Sequence, residues 1–209
     1  MSACVITFQL NELEKIIIEF DDVSIMVNCC REVPIFFIGK SERLQIDCDS
    51  VRSCMEHLQY LLVRALKNEL QLHHSIQDNI GYLYTQYKFY WYDSSILETM
   101  GFVFEDNKGK KRWVGKGHLL FAYDIAVWIY NDLKGDIVLE FTPWYTGNNF
   151  NEEGETDFTQ YDAFLKSYKP LFTRVIPHEV AARWLNQANQ ILQQIADDVE
   201  QLAAKKESK

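Results

Sequence analysis

From Leu119 to Thr146 the chain reads LLFAYDIAVWIYNDLKGDIVLEFTPWYT, two β-branched and aromatic runs hinged at residues 131–136. Runs of this kind, joined by a polar loop with one glycine, describe a β-hairpin, because Gly135 can take the positive φ that the turn requires. Asp124 interrupts the first run, where it caps a turn or breaks the strand. No catalytic or ligand-binding motif stands complete in the chain, so its residues speak more clearly of fold than of chemistry.

Around this hairpin the pattern alternates strands with helices. Residues 4–46 read as four short strands: Val5–Phe8, Lys15–Phe20, Val23–Val27 with its period of two, and Pro34–Ile38. Asp49-Ser50 opens a helix over 50–71. There Val51, Cys54, Met55, Leu58, Leu61, Leu62, Ala65 and Leu66 form one apolar stripe. Strands follow over 82–146, beginning with the aromatic segment Tyr82–Trp91. A short helix over 158–169 is stopped by Pro170. Pro177 then starts a long closing helix over 178–204, striped by Val180, Ala181, Trp184, Leu185, Ala188, Ile191, Leu192, Ile195, Val199 and Leu202. The expected fold class is α+β: one domain over residues 1–209, with an antiparallel sheet of about six to eight strands packed by two long amphipathic helices.

Composition supports a folded chain in one compartment. Its 209 residues are 47% hydrophobic with only 9 glycines and 4 prolines, which excludes global disorder and a long linker. Five cysteines, Cys4, Cys29, Cys30, Cys48 and Cys54, are odd in number and irregular in spacing, so reduced thiols and a cytoplasmic location are expected. No secretory signal is visible, and charges break every apolar run short of a membrane span. The net charge of −9 repels nucleic acid and anionic membrane and favours a basic partner.

Partial motifs fail on spacing. Gly109–Gly117 resembles a phosphate-binding loop, but five residues separate Gly109 from Gly115 where four are needed, and Gly117 stands where Ser or Thr would hold magnesium. What remains is a basic loop or hairpin tip of Lys108, Lys110, Lys111, Arg112 and Lys116 beside Trp113. His178-Glu179 begins like a zinc-protease helix, but Ala182 takes the second ligand's place. Cys48, Cys54 and His57 could offer three zinc ligands, although Cys54 belongs to the apolar stripe and no CxxC pair supports it. No metal, cofactor or catalytic residue is expected. The remaining signal is aromatic: Trp144-Tyr145 precede the acidic residues Glu152, Glu153, Glu155, Asp157 and Asp162, an arrangement that suits contact with a basic protein.

The stretches Phe164–Phe172 and Trp184–Ala188 resemble the ends of small uncharacterised bacterial proteins in which a sheet is followed by a helix. The wider profile is similar to immunity proteins of bacterial polymorphic toxin systems. That resemblance implies a non-catalytic inhibitor that covers the active site of a basic toxin or effector domain, without assigning positions. The alternative is an enzyme whose site only the fold assembles, with Asp124, His118, His57 and Cys54 as its candidate groups.

Overall fold

A computed structural model of the chain describes residues 4–27, 31–71, 80–82, 85, 103–105, 111–113, 118–122, 125–147 and 158–207. The class is α+β with antiparallel sheets. The chain divides into two compact units, residues 1–69 with 176–209, and residues 70–175. Among the described residues no helix is long and apolar enough to cross a membrane.

In the first unit, β1 (Cys4–Gln9), β2 (Lys15–Phe20), β3 (Val33–Ile38) and β4 (Arg43–Asp49) form an antiparallel meander in that order. Alternation selects the inner face: Ile6 and Phe8, Ile16, Ile18 and Phe20, then Val33, Ile35 and Phe37 are all buried. Val23–Val27 is a 3-10 turn and not the expected strand. The Asp22 carboxylate accepts from the Ser24 amide at 2.9 Å and its carbonyl from the Ile25 amide at 3.0 Å, which winds the chain at once. Ile25 and Met26 of that turn are both buried. The fourth strand is instead Arg43–Asp49, reached through a turn in which the Gly39 amide donates to the Glu42 carbonyl.

Helix α1 (Val51–Leu66) buries the expected stripe, from Val51 through Ala65. Ser50 caps it, its hydroxyl accepting from the Ser53 amide at 3.1 Å. It ends earlier than periodicity suggests. Asn68 adopts φ 58°, and the Asn68 and Glu69 amides return to the Ala65 and Arg64 carbonyls, both at 2.9 Å.

Later in the chain come α2 (Thr159–Ser167) and α3 (His178–Glu207). In the first unit α3 packs on α1, where Gln59 Nε2 donates to Asn189 Oδ1 at 2.6 Å. It also seats on β1. The Trp184 indole is fully buried, meets Phe8 edge-on at 5.8 Å, and donates to the Gln9 carbonyl at 2.9 Å. Arg183 reaches the same carbonyl at 3.2 Å and Gln187 the Thr7 carbonyl at 3.0 Å. Three side chains of one helix thus occupy backbone acceptors of a strand that is the sheet's terminal member.

In the second unit, β7 (His118–Ala122), β8 (Ile125–Asn131), β9 (Ile137–Pro143) and β10 (Phe172–Ile176) make a sheet in the order β10-β9-β8-β7. A separate two-stranded sheet pairs β5 (Val103–Glu105) with β6 (Lys111–Trp113). Among the described residues the expected single sheet of six to eight strands is therefore replaced by sheets of four, four and two. Part of the reason is the seat of α3, whose side chains hold β1 carbonyls that a further strand would need. The Leu119–Thr146 region is an antiparallel hairpin of β8 and β9, with Gly135 at φ 87° as its composition requires. Its first run is two strands: Ala122 lies opposite Ile125, so the chain reverses between β7 and β8. Lys111, Arg112 and Trp113, expected at a basic tip, lie in β6, while residues 106–110 and 114–117 are outside the described residues. The same holds for most of Tyr82–Trp91; Tyr82 itself is helical.

Replacing Trp184 by Phe keeps a ring against Phe8 and removes the indole N–H. The expected loss is about 0.5–1.5 kcal/mol, the net worth of one hydrogen bond, because Arg183 still donates to the Gln9 carbonyl. Urea unfolding followed by far-ultraviolet circular dichroism should show it as a lower midpoint.

Candidate functional site

The second unit holds the densest group of polar side chains in the described core. Both faces of β8 and nearly all of β9 are buried, and the two faces differ in chemistry. Odd positions are chiefly apolar: Val127, Ile129, Leu139 and Phe141, with Phe141 stacked on Phe172 of β10 at 4.3 Å. Even positions carry Trp128, Tyr130, Glu140 and Thr142. The antiparallel register sets Trp128 opposite Glu140 and Tyr130 opposite Val138, so the hydrogen bonds run diagonally. The Trp128 indole donates to Thr142 Oγ1 at 2.8 Å, and the Tyr130 hydroxyl to Glu140 Oε2 at 2.6 Å.

A third group closes over this face. Tyr168, just past α2, and Tyr82 meet edge-on at 5.5 Å. Gly81 lies so close that an added Cβ would collide with both the Tyr168 hydroxyl and Thr142 Oγ1. Burial pushes the Tyr168 phenol well above the usual tyrosine range; Thr142 opposes this, and the Glu140 charge adds to it. Glu140 exposes no surface. The arrangement therefore fixes strand register through its polar pairs, and presents no carboxylate to a substrate.

Asn131 ends β8 and ties the hairpin down. Its side chain accepts from the Leu70 amide at 3.1 Å, and its own amide donates to the Leu70 carbonyl at 3.1 Å. The hairpin loop is held by Asp132, whose Oδ1 accepts from the amides of Lys134 and Asp136 at 2.8 and 2.9 Å.

The residues singled out from sequence fall in different surroundings. Tyr145 is buried, edge-on to Tyr161 at 5.3 Å and tilted against Phe164 at 5.4 Å, so it anchors α2 instead of offering contact area. Trp144 is half-buried and Asp162 is exposed in the first turn of α2. Glu152, Glu153, Glu155 and Asp157 lie outside the described residues, as does Asp124. His118 is in β7. In α1, Cys54 is buried and His57 is exposed. Among the described residues no three His, Cys, Asp or Glu side chains are grouped to hold a metal.

Sequence reasoning missed a groove in the first unit. Gln59 meets Asn189, and the start of α1 lies beside the later turns of α3, so the helices run antiparallel. Between them Arg52, Glu56 and Gln59 of α1 face Leu192, Ile195, Ala196, Val199 and Glu200 of α3 around a cavity of about 410 Å³. Arg52 Nε is bonded to Glu56 Oε1 at 2.8 Å along the rim. The stripe of α3 is buried at Val180, Ala181, Trp184, Ala188 and Ile195, then opens: Val199 is 42% and Leu202 49% exposed. The signal was length. At 1.5 Å per residue, a helix of 30 residues runs about 45 Å, and one of 16 about 24 Å, so the shorter cannot cover the longer.

No family model, curated protein or solved structure matches this chain.

Two outcomes test the buried cluster. Gly81→Ala should destabilise by about 1–3 kcal/mol, since the added methyl meets two oxygens held by other elements. Tyr168 gives a pH dependence. Unfolded, it ionises near pH 10; folded, it ionises higher, so above about pH 10 the native state holds a proton that the unfolded state has released. This contribution to stability is complete below pH 10 and declines as pH rises, by about 1.4 kcal/mol per unit. Urea midpoints on either side of pH 10 should therefore fall less steeply in Tyr168→Phe than in the parent.

Proposed function

We propose that this chain is a non-catalytic protein-binding module that neutralises a basic partner in the cytoplasm, in the manner of the bacterial immunity proteins it resembles. The observation that supports it most is the open end of the α3 stripe, where Val199 and Leu202 stay exposed beside a groove with an apolar floor. Large apolar side chains held on rigid helices supply affinity once a partner desolvates them. The net charge of −9 adds a second term, because an acidic surface steers a cationic protein and speeds its encounter. Asp162, Trp144 and the acidic residues 152–157 extend that charge on the second unit's part of the sequence.

Affinity capture from a lysate of the native host, at low and at high salt, tests this. A stoichiometric partner of high isoelectric point should be retained at low salt and more weakly at high salt. Absence of any stoichiometric protein under both conditions would remove the proposal.

A further inference from the structure

Resting on the protein-binding reading, we infer that the α1–α3 groove takes an amphipathic, basic helix of the partner. The groove is walled by two helices whose backbone groups are already bonded within them, so an extended peptide finds no ladder to join. A third helix can join the pair by side-chain packing alone, at the usual spacing of about 8–10 Å. The apolar positions open to it, Leu192, Ala196, Val199 and then Leu202, follow one another at helical spacing over buried Ile195. They extend about 15 Å along α3, which is close to three turns of an incoming helix. Ala196 in their midst leaves room for close approach.

Charge selects the sign of that helix. At the rim Arg52 is held by Glu56; Glu200 lines the groove, and at helical spacing Asp198 borders the apolar stripe on its other side. Lysines or arginines flanking the partner's apolar stripe would meet these carboxylates. A second copy of this chain docked through the same face would instead bring its own Asp198 and Glu200 against them, which like-charge repulsion disfavours. An anionic membrane surface is disfavoured for the same reason.

The test uses the full chain and three designed helical peptides of about 18 residues, long enough to form several turns. One carries leucines at i, i+3, i+4 and i+7 with lysines elsewhere. The second keeps the leucines and replaces lysine by glutamate. The third keeps the composition of the first but scatters the leucines around the helix. Fluorescence anisotropy should show binding of the first peptide at least about tenfold tighter than either control. The variant Val199→Gln/Leu202→Gln, which changes only exposed positions and leaves the charge unaltered, should lose about tenfold, and Glu200→Lys should weaken the first peptide's binding and reduce its salt dependence. Equal binding of the first and third peptides, or no effect of Val199→Gln/Leu202→Gln, would overturn the assignment. So would a sedimenting dimer that the same variant dissolves, since a second copy would then own the groove. In the capture experiment, a partner retained undiminished by Val199→Gln/Leu202→Gln would remove the groove and leave the protein-binding reading standing. A parent chain that captures nothing would remove both.

Discussion

The first unit depends on the place where Trp184 meets β1. A strand at the end of a sheet carries backbone groups with no neighbouring strand to pair them, and leaving acceptors buried and unpaired costs about 1–3 kcal/mol each. Here the Trp184 indole, the Arg183 guanidinium and the Gln187 amide take the carbonyls of Gln9 and Thr7, while the indole ring packs on Phe8. One helix therefore closes the sheet's edge and covers its inner face together. That double role places α3 along α1, and α3 runs on past the start of α1, which leaves Leu202 open. The open face follows from the way the sheet is finished.

The second unit solves a different problem. Its hairpin is buried on both faces, so alternation no longer separates core from water, and a slip of one residue would exchange an aliphatic face for a polar one. The diagonal bonds of Trp128 to Thr142 and Tyr130 to Glu140 form only in the observed register. Apolar packing stabilises the hairpin; these polar pairs decide which hairpin it is. The closeness of Gly81 and Tyr168 extends that specification to the segments on either side.

Local pattern was readable wherever one residue's chemistry decided the backbone. Gly135 announced the turn, and the stripes of α1 and α3 announced two amphipathic helices. Where the outcome rested on a small competition, the reading failed. Val23–Val27 alternates like a strand, yet Asp22 captures the Ser24 and Ile25 amides and coils it. Asn68 stops α1 at the end of its stripe and short of residue 71, because asparagine tolerates the left-handed region that most residues avoid. The division into separate sheets could not be read, since alternation says which residues share a face and nothing about which strand lies alongside. The same limit hid the groove: Val199 and Leu202 fit the stripe as well as Trp184 does, and only the length of the neighbouring helix separates them. Tyr145 shows the converse, an aromatic beside an acidic stretch that is spent on anchoring α2.

The first unit is also discontinuous, with residues 1–69 completed only by the segment from Ile176 onward. During synthesis the whole second unit emerges between the two parts, which at about 5–20 residues per second leaves β1 without its closing helix for on the order of ten seconds. Through that interval the Thr7 and Gln9 carbonyls stand open on a strand with an apolar face. Any α3 that reaches them satisfies them, whether it belongs to the same chain or to a neighbour on the same messenger. Crowded translation is thus the condition under which this fold is exposed to helix exchange between chains, and the protection lies in how quickly each chain's own Trp184 arrives.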